Sequence, residues 1–213
     1  MLRTNEQLLS YMERLLAGEQ AGGITLASFP PGRRFIRQGE TSRYVYVIRE
    51  GITKCYIRED NGKDYIFEFL GKGEITGELE VIRKTVCLCN IAAITAVTAY
   101  AIPADVFAVL LRRDAELNRL VLEELATRIR QTCVRASYQQ LYPIEYGLLR
   151  LLMLQAEAQV SFSKKDMADY LAITVRSFNR TIRQLREKNI VSMEGLQLDM
   201  SAQELDALLR RWE

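Results

Sequence analysis

Three arginines near the C-terminal end of the chain, Arg176, Arg180 and Arg183, have the spacing that places side chains on one face of an α-helix, and Asn179 lies among them. Five residues between positions 174 and 188 are basic and one is acidic, although the whole chain has a formal net charge of only +2. Guanidinium groups pair with phosphates and with guanine, and an amide can pair with adenine. This segment therefore predicts contact with nucleic acid, with a solvated basic face as the alternative.

The elements around these arginines have the pattern of a helix-turn-helix. Ser163 followed by Asp166 fits a capping box that starts a short first helix. Thr174 can cap a second helix that runs to about Lys188. The apolar residues of the second helix fall on the face opposite the arginines, and they are Val175, Phe178, Ile182 and Leu185.

A helix-turn-helix allows its second helix to enter the major groove of double-stranded DNA, while the start of the first helix contacts phosphates. A turn at Glu194-Gly195 predicts a β-hairpin wing, and a capping box from Ser201 to Glu204 predicts a final helix. We predict that the DNA-binding residues are Lys164, Lys165, Thr174, Arg176, Ser177, Asn179, Arg180 and Arg183.

The first half of the chain has a different texture. Residues 2–16 have a helical pattern of apolar residues, and residues 24–102 contain short β-rich runs such as 44–48, 54–57 and 65–69. Turn signals separate these runs, including Asn61-Gly62, which favours a hairpin. Strands this short and this closely spaced predict an antiparallel roll, barrel or sandwich.

After Pro103 the apolar residues return to helical spacing, and we predict a long helix over about residues 114–140. Its apolar stripe needs a partner, for which a second subunit is favoured and the helix's own domain is the alternative. A further helix is predicted over residues 144–158. The expected fold is α+β, with a sensor β-roll and N-terminal helix at 1–113, a central helix at 114–140 and a winged helix-turn-helix at 141–213.

Composition argues against several classes of function. The chain has no histidine, and its four cysteines lack CxxC spacing, so histidine-dependent catalytic triads and a structural zinc site are not expected. Neither a glycine-rich phosphate loop nor a metal constellation is present, and we do not expect an enzyme. No apolar run approaches the length of a membrane span, and a secretory signal is not expected. The predicted location is the cytoplasm, where the cysteines would be free thiols.

Four motifs of the β-rich half resemble those of the bacterial cyclic-AMP receptor protein and FNR superfamily, and the order of all elements is similar. They are Phe-Pro-Pro-Gly at 29–32, Ile-Arg-Gln-Gly-Glu at 36–40, Val-Tyr-Val-Ile-Arg-Glu-Gly at 45–51 and Ile-Thr-Gly-Glu-Leu at 75–79. The resemblance implies a cyclic-nucleotide-binding-type roll (a double-stranded β-helix) and a transcription regulator. It further implies a homodimer on a pseudo-palindromic DNA site, with RNA polymerase as a further partner. A ligand- or protein-binding sensor module with a degenerate DNA-binding domain is the alternative.

The departures from the family pattern bear on the signal. The arginine that holds the cyclic phosphate in relatives is replaced by Cys87, so cyclic nucleotide is not the expected effector. No cysteine precedes Cys55 to form the iron–sulfur cluster of other members, and histidine is absent as a haem ligand. We therefore predict no cofactor and leave the effector unknown. Many relatives also have Glu where this chain has Arg176, which implies a different DNA target.

The same alignment places all four cysteines near the family's effector pocket. Cys87 and Cys89 are predicted on one face of a strand. One hypothesis is that the pocket senses thiol oxidation or a thiophilic ligand, and the alternative is that the cysteines only pack. The candidate pocket residues are Gly77, Glu78, Leu79, Cys55, Cys87, Cys89, Thr132 and Cys133.

Overall fold

The computed structural model describes residues 2–18 and 22–212. The chain forms two compact units, one of residues 2–130 and one that begins at Gln131. The first unit combines helices with two β-sheets, and the second is helical with one isolated β-bridge. Among the described residues no helix is both long enough and apolar enough to cross a membrane.

Two sheets make up the roll of the first unit. One has five strands in the order β1-β6-β5-β8-β3, and the other has four in the order β2-β9-β4-β7. All pairings are antiparallel except that of β1 with β6. The strands are β1 (Leu2–Arg3), β2 (Thr25–Phe29), β3 (Arg34–Ile36), β4 (Tyr44–Glu50), β5 (Thr53–Arg58), β6 (Asp64–Leu70), β7 (Ile75–Thr76), β8 (Asn90–Ala93) and β9 (Val97–Pro103).

The predicted hairpin at Asn61-Gly62 joins β5 to β6. Gly62 has a φ of +80°, which a residue without a side chain adopts at little cost. Arg58 is paired in register with Asp64, and its Nε lies 2.7 Å from Asp64 Oδ1. The turn residues and this cross-strand ion pair together fix the register of the hairpin.

Helices cover one side of the roll. They are α1 (Glu6–Ala17), α2 (Glu78–Arg83), α3 (Ala104–Arg113) and the part of α4 (Ala115–Leu141) that lies before residue 131. One buried cluster joins Leu8 and Met12 of α1 to Val45 and Val47 of β4 and to Leu120 of α4. The apolar stripe of α4 is thus partly covered within its own unit, although other apolar residues of the helix stay exposed.

The second unit contains the end of α4 and four further helices, which are α5 (Ile144–Ala158), α6 (Lys164–Tyr170), α7 (Val175–Glu187) and α8 (Ala202–Leu209). Its core is made mostly of side chains that these helices direct inward, together with Phe162 from the segment between α5 and α6. The buried residues include Leu148, Leu149, Leu152, Met167, Phe178, Ile182, Leu185 and Leu205. The capping box predicted at Ser201 is formed with Glu204.

Three local predictions need correction. Leu2 and Arg3 belong to a strand, and the first helix begins only after Asn5, whose side chain accepts a hydrogen bond from the Leu8 amide. Cys87 and Cys89 do not lie on a strand, because β8 starts at Asn90. Of the predicted wing strands, the structure forms a single bridge between Val191 and Leu198.

Candidate DNA-binding site and sensor site

The turn of the helix-turn-helix is held by backbone hydrogen bonds. The Ile173 amide donates to the Ala168 carbonyl at 3.0 Å, and Ala172 adopts a left-handed conformation with a φ of +57°. Thr174 then starts α7, because its Oγ1 accepts a hydrogen bond from the Ser177 amide at 3.1 Å. The turn is therefore tight and well bonded, which fixes the direction in which α7 leaves it.

Helix α7 has two sharply different faces. Phe178, Ile182 and Leu185 are buried, and they anchor the helix in the core of the second unit. Among the described residues, no acidic side chain forms an ion pair with the arginines of the opposite face. The exposed side chains of that face are Arg176, Asn179, Arg180 and Arg183.

The side chains of the remaining predicted DNA contacts differ in their exposure and in whether they already bond to other groups of the protein. Lys164 is exposed at the start of α6, and Lys165 Nζ is 2.5 Å from Asp169 Oδ2 on the same helix. Thr174 is exposed but serves as the cap of α7, and its hydroxyl also donates to Ser177 Oγ at 3.1 Å. Ser177 is half-buried. We therefore rank Lys164 above Lys165, Thr174 and Ser177 as a contact to phosphate.

Arg186 has a structural role that the sequence pattern did not reveal. Its Nε donates to the Ser192 carbonyl at 2.9 Å, and its Nη2 donates to the Gly195 carbonyl at 2.7 Å. These bonds tie the end of α7 to the turn at Glu194-Gly195. By spacing alone, Arg186 follows Arg183 by three positions and could have been a fourth DNA contact, but its guanidinium is engaged by two backbone carbonyls.

In the first unit, Gly77 and Glu78 lie where β7 gives way to α2. Gly77 has a φ of +88°, and a Cβ atom there would lie 2.9 Å from the Tyr44 carbonyl oxygen, so only glycine fits without a shift. Glu78 is 1% exposed, whereas its neighbour Leu79 is 39% exposed. The structure thus turns Glu78 into the unit and Leu79 toward its surface.

Glu78 belongs to a buried ionic network that the sequence analysis missed. Arg128 of α4 donates from Nη1 to Glu78 Oε1 at 2.5 Å, from Nη2 to Glu74 Oε2 at 3.2 Å and from Nε to Glu124 Oε1 at 3.2 Å. Arg3 Nε lies 3.2 Å from Glu74 Oε2. We call the four acidic side chains of this network the carboxylate cluster, and they are Glu68, Glu74, Glu78 and Glu124.

Burial and charge act against each other in this network. Burial raises the pKa of Glu78, and the Arg128 guanidinium partly offsets that effect. Burial lowers the pKa of Arg128, but Glu78, Glu68 and Glu74 outweigh it, so that the pKa of Arg128 is raised overall. The carboxylates therefore keep Arg128 in its charged form. For Glu78, burial opposes the charged form and Arg128 favours it.

The cysteines have four different environments. Cys87 is buried in an apolar cluster with Ile36 and Ile91, and burial raises its pKa to about 11. The pKa of Cys55, a half-buried residue, lies well above its usual value, because its thiol is hydrogen-bonded to that of Cys89 and has lost contact with water. Thr132 and Cys133 are exposed on α4, in the second unit. Since oxidation requires a thiolate, the raised pKa values favour packing over sensing for Cys55 and Cys87.

Comparisons with known proteins agree with this two-part architecture. Residues 26–114 match the family model of the cyclic nucleotide-binding domain, and residues 147–211 match that of the Crp-like helix-turn-helix domain. The chain belongs to the CRP/FNR family of transcription regulators. The predicted family and the α+β fold with a long helix and a helix-turn-helix are thereby confirmed.

Individual members of the CRP/FNR family are distant in sequence. The probable transcriptional regulator flp of Lacticaseibacillus casei is 26% identical over 165 residues, which cover 75% of each chain. The nitrogen fixation regulation protein FixK of Rhizobium meliloti is 23% identical over 190 residues, or 85% of each chain. The solved structure of the c-di-GMP responsive global regulator CLP from Xanthomonas campestris has a TM-score of 0.78 at 17% identity, covering 90% of this chain and 99% of that one. At this identity, the structural likeness shows the fold alone.

Proposed function

We propose that this CRP/FNR regulator reads a specific sequence of double-stranded DNA with helix α7. The observation that carries the proposal is the exposed face of Arg176, Asn179, Arg180 and Arg183, presented by a helix whose opposite face is locked into the core. Arginine and asparagine at this position supply the paired hydrogen bonds that distinguish bases in the major groove. Among the described residues, no acidic side chain pairs with these arginines, so they are available to bind DNA.

We further propose that the regulator acts as a homodimer on a pseudo-palindromic site. On α4, Leu122 is 60% exposed and Ile129 is 66% exposed, and these two apolar residues are seven positions apart. Two helices that meet along such a stripe bury it against each other. Changing Leu122 and Ile129 together to glutamate should yield a monomer in analytical ultracentrifugation, and a variant that stays dimeric would contradict this interface.

The signal that controls the regulator is proposed to be something other than a cyclic nucleotide. Cys87, which stands where relatives place an arginine for the cyclic phosphate, is buried among apolar side chains. A phosphate bound there would receive no positive charge from Cys87, and burying an unpaired anion is costly.

RNA polymerase is proposed as a further partner of the DNA-bound form.

Selection of DNA sites from a randomised library tests the function directly. The wild-type protein should enrich a two-fold related sequence, with binding that weakens steeply as salt rises. The double variant Arg176→Ala/Arg180→Ala should lose the selected site. As a matched control, Arg210→Ala removes a highly exposed arginine just after α8 and should bind as the wild type does.

If the wild-type protein enriches no sequence, the alternative of a sensor module with a degenerate DNA-binding domain replaces this proposal. If the double variant binds as tightly as the wild type, α7 is not the reader.

A further inference from the structure

Two side chains from the end of α4 bind one backbone carbonyl of the helix-turn-helix. Helix α4 ends at Leu141, and its residues from Gln131 onward belong to the second unit. Arg135 donates from Nη2 to the Tyr170 carbonyl, and Gln139 Nε2 donates to the same oxygen at 3.0 Å. The two donors are four positions apart, so they lie on one face of α4. We call Arg135, Gln139 and Tyr170 the Tyr170 clamp.

The ring of Tyr170 adds a further contact to the clamp. The central carbon of the Arg135 guanidinium lies 3.7 Å from the centroid of the Tyr170 ring, so the cation stacks on the aromatic face. Arg135 is 7% exposed, and Tyr170 is 4% exposed. Cation–π attraction and hydrogen bonding are both stronger where water is excluded. The clamp therefore holds both the carbonyl and the ring of Tyr170 against α4.

Tyr170 lies next to the turn that determines the direction of α7. It is the last residue of α6, and the carbonyls at the C-terminal end of a helix carry partial negative charge and attract cations. Residues 171–173 separate it from Thr174, the cap of α7. The turn is bonded back to α6, as by the Ile173 amide to the Ala168 carbonyl. A contact that fixes the end of α6 therefore also fixes the direction in which α7 leaves the turn.

We propose that the Tyr170 clamp sets the spacing of the two DNA half-sites, with Arg135 as its main positioning residue. The clamp and the stripe proposed for dimer formation are on the same helix, so each copy of α7 is held by the helix that joins the subunits. Two recognition helices held in this way fit half-sites at one separation. One added base pair moves the second half-site by about 3.4 Å and turns it by about a tenth of a helical turn. The inference deepens the proposed function and rests on its dimer and on α7 as the reader.

Removing both donors of the clamp tests this role. Arg135→Met/Gln139→Met replaces them by apolar side chains, and the DNA site selected by the wild type is prepared with spacers one or two base pairs shorter or longer. In fluorescence anisotropy at fixed salt, the wild type should prefer its own spacer by about tenfold or more, and the double variant by less than about threefold. Both should bind a single half-site with affinities within about twofold of each other, because the reading face of α7 is unchanged.

Three further variants separate positioning from general damage to the fold. Arg119→Met/Gln140→Met changes an exposed arginine and an exposed glutamine of α4, and it should keep the spacer preference of the wild type. Arg135→Lys retains a donor for the Tyr170 carbonyl, so it should keep more of the preference than Arg135→Met does. Gln139→Met removes one donor, and its preference should lie between those of the wild type and the double variant. This single variant provides the test if the double variant does not fold.

An unchanged spacer preference in the double variant would overturn the proposal. An equal loss of affinity for the half-site and for the full site would also overturn it, because a damaged helix-turn-helix gives that result. A wild type that selects no two-fold related site contradicts the proposed function, and the role of the clamp is rejected with it. The selection with the wild type therefore distinguishes a failure of the proposed function from a failure of the clamp alone.

Discussion

The arginines of α7 and two arginines of the first unit, Arg3 and Arg128, are the same side chain in opposite surroundings. Arg176, Arg180 and Arg183 are exposed and face no carboxylate among the described residues, whereas Arg3 is buried and Arg128 half-buried against four of them. A solvated guanidinium costs the fold little and stays available to a partner. A buried one is committed to its neighbours, because removing it strands their charge. Burial therefore separates the arginines that we propose to bind DNA from those that hold the fold together.

The largest effect that we expect is the loss of folding stability when the half-buried Arg128 is removed. Arg128→Ala should lower the free energy of unfolding by about 3–5 kcal/mol, because Glu74 and Glu78 keep their buried charge without a partner. Urea denaturation followed by circular dichroism measures the change. The control Arg119→Ala, whose ion pair with Glu123 is exposed, should change the stability by no more than about 0.5 kcal/mol.

Acidification should narrow the gap between Arg128→Ala and the wild type. Burial already raises the pKa of Glu78 and Arg128 opposes that rise, so removing Arg128 raises the pKa further. A folded-state pKa above the unfolded value of about 4.3 means that the folded variant takes up a proton and gains stability as the pH falls from 8 toward 4.3. A gap that is constant over this range would show that uncompensated charge is not the cause.

An intermediate effect, on affinity rather than stability, is expected at the exposed face. Arg180→Ala should weaken binding to the selected DNA site by about 1–3 kcal/mol, or roughly 5- to 150-fold, and should relax the base preference at one position. Fluorescence anisotropy at fixed salt measures the affinity. The urea midpoint should be unchanged, and a large loss of stability would mean that Arg180 is structural after all.

The smallest expected effect is at Arg186, which lies between the two classes. It is half-buried, and it donates to two backbone carbonyls of the turn at Glu194-Gly195. Arg186→Ala should lower the free energy of unfolding of the second unit by about 1–2 kcal/mol. The fluorescence of Trp212 follows this unit. Lost DNA affinity with unchanged stability would instead place Arg186 among the DNA contacts.

Most of the architecture could be predicted from the sequence because it depends on local periodicity. The helical spacing of Phe178, Ile182 and Leu185 fixes which side of α7 is buried and hence which side carries arginine. Asn61-Gly62 encodes its hairpin in two residues, and the caps at Thr174 and Ser201 form where the pattern places them. The wing was overestimated, because a turn between short apolar runs does not guarantee the pairing of whole strands.

What only the tertiary structure decided concerns partners far apart in the chain. Arg128 meets Glu78 across fifty positions and Arg3 meets Glu124 across 121, and no local pattern records such pairs. The sequence determined which face of α7 is buried and which carries the arginines, because the apolar residues of the helix recur with helical spacing. It could not say which arginines were free, because that depends on which carboxylates the fold brings within reach, and long-range packing alone determines that.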